Sequence, residues 1–457
     1  MATHKLTREQ LITEIKKSGT QKIKVAITDI DGIMRGKYIH VDKFLSALDG
    51  GFGFCNVVFG WDSADVCYDH VKFTGWHTGY PDSEARIDEG TYRTIPWDDH
   101  TPLFLGDFGD ADGQGLAVCP RQLLKRVIKK GRDMGFSAMC GIELEFFNFQ
   151  ETPQSLNDKG FRNLQSLTPG MFGYSLLRSS YGQPYFKTLM DEMSEFGVPL
   201  EGLHTETGPG VYEAGIYVAD ALEAADRGVL FKTAAKEIGY RFGVIPTFMA
   251  RWNTELPGSS GHIHQSLWNA DGTASAFYDA NDPHNMSEVF RQYMAGLIHC
   301  LPQILPMLAP NVNSYKRLVE GFWAPTTVTW GVDNRTASLR VIRGSQKSTR
   351  VEGRIGGADI NPYLAVAAYL AAGLYGIENK LELKADPVSG NAYEVTDAPR
   401  LANNLRDSAQ LMQDSAIAKE LFGDEFVEHF TTTRFWEWKQ AGQVVTDWEL
   451  KRYFEII

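Results

Sequence analysis

No run of lysines and arginines occurs in this chain, and 57 acidic against 45 basic side chains leave a formal charge of −12. That balance argues against a nucleic-acid-binding surface. Its five cysteines (Cys55, Cys67, Cys119, Cys140 and Cys300) are scattered, odd in number and without C-x-x-C spacing. They fit reduced thiols in a cytosol better than a disulfide frame or a zinc site. The longest apolar run, Tyr363 to Ile377, is too short for a membrane span and is interrupted by glycine, so it reads as a buried core helix. Met1-Ala2-Thr3-His4-Lys5 has no signal-peptide pattern and leads into a polar, helix-like segment. Repeats, low-complexity tracts and the glycine fingerprint of a dinucleotide site are all missing. These absences leave a cytoplasmic globular protein of 457 residues, long enough for one small and one large domain.

Alternation of polar and apolar residues predicts strands at Ile23–Ile27 and Arg35–Ile39, joined as a hairpin by the turn Asp29-Ile30-Asp31-Gly32. A short helix capped by Asp42 runs to Leu48. The aromatic, glycine-rich stretch Phe52 to Asp62 reads as a packed loop. Short strands follow at Ala85–Asp88, Tyr92–Trp97 and Leu103–Asp107, so roughly the first hundred residues form a small β-rich unit. Pro120 opens an amphipathic helix that Gly135 stops. Beyond it, residues 151–174 read as a polar excursion. Helices are predicted at Tyr185–Phe196, Ala221–Gly239 (capped by Asp220), Ser287–Leu301 and Pro362–Ile377, and strands at Val198–Thr205 and Val244–Met249.

Chemistry first shows at Gly141-Ile142-Glu143-Leu144-Glu145-Phe146. As a strand it puts Glu143 and Glu145 on one face, roughly 6.6 Å apart along the backbone. Either that face is solvated, or the two carboxylates hold hard divalent cations, which favour oxygen ligands. His204-Thr205-Glu206-Thr207-Gly208-Pro209-Gly210-Val211-Tyr212-Glu213 carries two more glutamates around a turn that can bring them to one point. Pro257-Gly258-Ser259-Ser260-Gly261-His262-Ile263-His264 places two histidines on one strand face. Between Asn313 and Arg354 cluster Lys316, Arg317, Arg335, Arg340, Arg343, Lys347, Arg350 and Arg354. Hard-metal ligands together with guanidinium groups are what phosphoryl transfer requires. A glutamate-rich, histidine-poor set suits Mg2+ or Mn2+ and not zinc.

These motifs, with Asn313-Ser314-Tyr315-Lys316-Arg317-Leu318, Asn334-Arg335, Arg350-x-Glu352-x-Arg354 and Asn361-Pro362-Tyr363-Leu364, occur in an order that resembles the glutamine synthetase family. The likeness covers nearly the whole chain, Asp29-x-Asp31-Gly32 included. It implies an α+β fold with a small N-terminal β-grasp domain (residues 1–115) and a C-terminal catalytic α/β barrel-like domain (residues 116–457). It also implies ATP and two or three Mg2+ or Mn2+ ions as cofactors, with L-glutamate and an amine as substrates. The implied assembly is a homo-oligomer, commonly a dodecamer of two hexameric rings, whose active sites lie between neighbouring subunits.

By the same resemblance Glu145, Glu206 and Glu213 hold one metal, and Glu143, His262 and Glu352 the other. Arg317 grips the α-carboxylate of glutamate, Arg354 its reacting γ-carboxylate, and Gly258 lies against the substrate. Arg335, with Arg340 and Lys347, faces the ATP phosphates, while His264, Ser266 and Trp268 line the nucleotide pocket. The implied reaction phosphorylates the γ-carboxylate and lets an amine attack the acyl phosphate.

Two departures redirect the substrate. The family's flap carries a glutamate that binds ammonium where this chain has Trp323. The neighbouring subunit's aspartate and serine are replaced by Cys55 and Val58. Pro257 also stands where bacterial enzymes often carry asparagine. An apolar lining favours an amine with a hydrocarbon group, an alkyl- or arylamine such as isopropylamine or aniline, in amine catabolism. A polyamine would want an acidic partner that these positions lack. The alternatives are a true glutamine synthetase using ammonia, a γ-glutamylpolyamine synthetase, and a relative that has lost catalysis. The flanks of Tyr393 do not match those of the tyrosine that the family's regulated members adenylylate.

Overall fold

The computed structural model describes residues 6–109 and 115–457; the opening pentapeptide, and the five residues just before the expected domain boundary, lie outside them. Two sheets organise the rest. The first takes its strands from the N-terminal stretch: β1 (Lys22–Thr28), β2 (Met34–His40), β3 (Phe52–Cys55), β4 (Asp82–Ile87), β5 (Arg93–Ile95) and β6 (Thr101–Phe108). Their order is β2-β1-β6-β4-β3, with β5 also on β6. The pair β1–β6 is parallel and the rest antiparallel. Helices Arg8–Ser18 and Val41–Gly50 supply Leu11, Ile15, Phe44 and Ala47 to the core of this sheet.

The second sheet comprises β7 (Phe136–Phe149), β8 (Leu200–Thr205), β9 (Val211–Asp220), β10 (Ile245–Thr247), β11 (Gly261–Asn269), β12 (Trp330–Val332), β13 (Leu339–Ile342) and β14 (Arg350–Gly353). Its order is β12-β13-β14-β11-β7-β9-β8, and β10 pairs with β7. Helices Pro120–Asp133, Ala221–Arg241 and Pro362–Glu378 pack against its strands, and Glu288–Ile304 packs on Pro362–Glu378. The helix Pro362–Glu378 is buried along most of its length, as its continuous apolar run predicts. It crosses Glu288–Ile304 where Gly296 meets Gly376 backbone to backbone, with no space for a Cβ on either. No helix among the described residues is long and apolar enough to cross a membrane.

Two of the sequence motifs turn out to join the sheets. The Asp29–Gly32 turn docks on Asn361, whose Nδ2 donates to Asp29 O (3.3 Å) and Ile30 O (3.2 Å). Gly32 (φ +82°) lies so close to Asn361 that a Cβ would sit 2.9 Å from its Cα. Arg434 closes the joint through Asp31 (2.6 Å), and Arg35 holds Asp29 (2.9 Å).

Three local readings need correction. Phe52–Asp62 is not an irregular loop: it forms β3 and the turn Asn56–Phe59, because Phe52 and Phe59 sink into the core, Phe59 edge-on to Phe108. Residues 151–174 contain a helix, Pro153–Asp158, started by a reciprocal Thr152–Ser155 cap. The side chain that caps Val41–Gly50 is His40, not Asp42; its Nδ1 accepts from the Asp42 amide. The C-terminal helices Leu405–Asp414, Ala416–Phe422, Asp424–Ala441 and Asp447–Tyr453 add to what sequence periodicity revealed.

Candidate active site

Strand β7 lies between β11 and β9, and its register decides what faces Glu143 and Glu145. Glu143 stands opposite His262 and Glu145 opposite Glu213. Across β11, His264 is opposite Glu352, and across β14, Glu352 is opposite Arg340. At the other edge His204 on β8 is opposite Glu213. Residues drawn from positions 143 to 352 of the chain thus form one polar row across six strands, since alternate side chains share a face.

The row lines a cavity of about 650 Å³. All six residues expected as metal ligands border it, with Gly258, Arg335, Arg340, Arg354 and Trp323. A second cavity, of about 310 Å³, is bordered by His264, Ser266, Trp268 and Lys347; Glu143 lines both. The residues expected around ATP therefore divide, with Arg335 and Arg340 in the larger space and the other four in the smaller.

Arg354 is almost buried. It pairs with Glu352 through Nη1 and donates from Nε to Arg335 O (3.1 Å). Its Nη2 has no hydrogen bond among the described residues. Arg340 Nη1 lies 3.0 Å from the other Glu352 oxygen. Arg317 stands behind the wall: its guanidinium, 2% exposed, donates to Ile355 O (2.8 Å), Ser260 Oγ (3.0 Å) and Arg354 O (3.3 Å). In this conformation it braces the Arg354 segment and does not border the cavity. Val58 is equally withdrawn, packed into the core of the N-terminal sheet. Half-buried Cys55 donates its thiol to Tyr80 O (3.3 Å).

Among the wall residues that carried no role in the sequence are Tyr174, His204 and Phe322. Tyr174 comes from the stretch that read as an excursion, and its ring packs on His204 (4.6 Å between centroids). His204 in turn lies 3.8 Å from Glu206 and 3.6 Å from Glu213. Phe322 precedes Trp323 and rests under the Arg251 guanidinium (4.5 Å). Only His204 had a legible signal, the same-face spacing with Glu206.

The donor set fits divalent cations. Ligand atoms of Glu143, His264 and Glu352 lie within 4.8 Å of one another, and so do those of His204, Glu206 and Glu213. Burial, reinforced by Glu213, pushes Glu145 up to about 8. Burial also works to raise Glu143, yet His262 and His264 hold it below the usual carboxylate range. Burial and Arg354 lower His262, keeping its imidazole neutral, the form that ligates metal. Its Nδ1 is 3.3 Å from Glu352 and 3.7 Å from Glu143, and its Nε2 is buried without a partner.

At pH 7 a carboxyl titrating near 8 is roughly nine-tenths protonated. In the metal-free chain Glu145 holds a proton that the unfolded chain, at its ordinary 4.5, releases, so this group makes stability fall as pH rises from 4.5 towards 8. A divalent cation bound at Glu145 would take that proton's place. Mn2+ binding at pH 7 is expected to release close to one proton from this group, measured by calorimetry in two buffers of different ionisation enthalpy; no release contradicts the assignment. Gly258 gives a second test. A Cβ there would collide with Ala250 O and come within 2.7 Å of Arg317 Cγ. Gly258→Ala is expected to raise the KM for glutamate about tenfold or more, on the order of 1.4 kcal/mol, with the fold retained by circular dichroism.

The model of the glutamine synthetase catalytic domain matches residues 117–453. Type-1 glutamine synthetase 2 of Dictyostelium discoideum is 52% identical over 450 residues, covering 98% of this chain and 86% of that protein. A glutamate–isopropylamine ligase of Pseudomonas is 39% identical, covering 97% of each chain. The gamma-glutamylethanolamide synthetase GlnA4 of Streptomyces coelicolor is 37% identical, covering 98% of this chain and 95% of that one. A solved GmaS/ADP complex superposes with a TM-score of 0.85 at 25% identity, over 97% of this chain and 99% of the other.

Proposed function

Since the chain belongs to the glutamine synthetase family of ATP-dependent carbon–nitrogen ligases, we propose that it joins L-glutamate to an organic amine through a γ-glutamyl phosphate. The amine is of the alkyl or aryl class. The observation that carries this reading is Trp323 on the wall of the carboxylate cavity, where the resemblance leads one to expect a glutamate, with Phe322 and Tyr174 bordering the same space. Two relatives are named for isopropylamine and for an ethanolamide, which supports an organic amine.

Glu145, Glu206 and Glu213 would hold one divalent cation, and Glu143, His262 and Glu352 another. Such ions neutralise phosphate oxygens and polarise the bond being broken. The chain's own groups do the rest. Arg354 Nη2 binds the γ-carboxylate and keeps its oxygen directed at the terminal phosphate. Arg335, whose guanidinium has no hydrogen bond among the described residues, receives the charge that builds on the transferred group. Lys347, Ser266 and Trp268 hold the nucleotide in the smaller cavity. Arg317 positions Arg354 through the backbone it grips. Once the γ-oxygen is a phosphate it can leave, and a neutral amine resting on Trp323 attacks the acyl carbon. We place the boundary between the two domains after residue 115.

Ammonia as the substrate is favoured by one observation, the 52% identity to a type-1 glutamine synthetase. The two readings separate on kcat/KM for ammonia against isopropylamine, ethanolamine and aniline, with ADP release as the signal. A higher value for ammonia than for every organic amine would overturn the proposal.

A further inference from the structure

His264 stands where the two cavities meet. It borders the smaller one with Arg350, and Glu143, which it approaches, borders both. Arg350 Nε donates to His264 Nδ1 at 3.1 Å, while Arg350 Nη1 is tied to Ser348 O at 2.9 Å. A guanidinium can only donate. Nδ1 must therefore present its lone pair, and the ring's N–H sits on Nε2. Nε2 lies 3.0 Å from Glu143 Oε1 but off the axis of a regular hydrogen bond. A ring nitrogen that carries its proton has no lone pair for a metal. By distance alone Glu143, His264 and Glu352 would pass as a ligand trio; the direction of the Arg350 bond removes His264 from it. His262 Nδ1, facing both Glu352 and Glu143, is the imidazole that remains.

We propose that His264 is a positioning residue: Arg350 locks its tautomer, and the resulting Nε2–H fixes the Glu143 carboxylate in the orientation a divalent cation needs. The inference rests on reading the carboxylate row as a metal site. Hydrogen bonds to the outer atoms of metal ligands typically contribute about 10–100-fold in affinity.

Mn2+ binding to the purified full chain without nucleotide, read from the paramagnetic resonance of free Mn2+, tests it. His264→Ala is expected to weaken binding about 10–100-fold. His264→Gln, whose amide supplies an N–H where Nε2–H stood, is expected to stay within about threefold of wild type. Arg350→Met is expected to lose about tenfold, and Arg350→Lys, which still donates, to recover most of it. His262→Ala removes a ligand and is expected to abolish one class of site. If His264→Gln loses binding as completely as His262→Ala, His264 is a ligand and the inference fails. If His264→Ala binds Mn2+ like wild type, it fails as well. Wild-type protein that binds no Mn2+ would instead defeat the metal reading itself. Thermal melts of each metal-free variant separate misfolding from lost affinity, and the Gln and Lys variants keep the test decisive if the truncations unfold.

Discussion

Glu352→Gln is expected to cut ADP formation with every amine by a factor of about 10²–10³, the scale seen when a group stabilising transition-state charge is removed. Glu352 is 1% exposed, and its oxygens are shared by Arg354, Arg340 and His262. Burial works to raise its carboxyl, but His262 and Arg354 hold it well below the usual range, so it is anionic at neutral pH. Glutamine keeps the shape and removes the charge. Two guanidinium groups and a neutral imidazole then face a dipole, and a cation loses one of its ligands. Removing one partner of a buried pair costs about 3–5 kcal/mol of stability. The melting temperature should therefore fall as well, and saturating Mn2+ should restore little of it. Activity within tenfold of wild type would show that Glu352 serves the fold alone.

Trp323→Glu is expected to reverse the choice of nucleophile. Trp323 is half exposed, at the tip of a turn with φ +59°, and follows Phe322 under Arg251. Glutamate at this position meets the same backbone demand, so the variant changes chemistry more than conformation. An isopropyl group resting on the indole gains about 2 kcal/mol from its three carbons, at about 0.8 kcal/mol per buried CH2-sized group. Losing that contact lowers kcat/KM for isopropylamine roughly 30-fold. A carboxylate near the acyl carbon attracts ammonium and can take its proton, which the indole cannot. Ammonia turnover should rise tenfold or more, moving the ratio of the two by more than two orders of magnitude. A ratio unchanged within threefold would place amine selection elsewhere in the cavity.

The site was legible in the sequence to the extent that β-strand alternation is legible. Glu143-x-Glu145 and His262-x-His264 each declare a face, and a strand has only two. What spacing could not supply was register. Nothing local states that Glu145 meets Glu213, or that His264 meets Glu352. Those pairings are set by strands far apart in the chain, and here they came through the family resemblance. It gave Arg317 a direct grip on substrate; in this structure that guanidinium is buried and donates to three internal acceptors. It gave Val58 to a neighbour's cavity; in this structure the residue packs into the core of its own sheet. Tyr174 was missed because its stretch has neither periodicity nor motif, and only the folded chain brings it to His204. In the N-terminal sheet the hairpin β1–β2 was plain from its turn. The stretch Phe52 to Cys55 was not, because glycine and aromatic residues suit a loop as well as a strand until Phe108 is placed beside them.

The most direct test is a comparison of kcat/KM, by ADP release from purified protein with L-glutamate, ATP and Mg2+ or Mn2+, for ammonia and for a series of alkyl- and arylamines. At least one organic amine is predicted to exceed ammonia by tenfold or more and to yield a γ-glutamyl amide detectable by mass. Ammonia exceeding every amine, with glutamine as the product, would contradict the account.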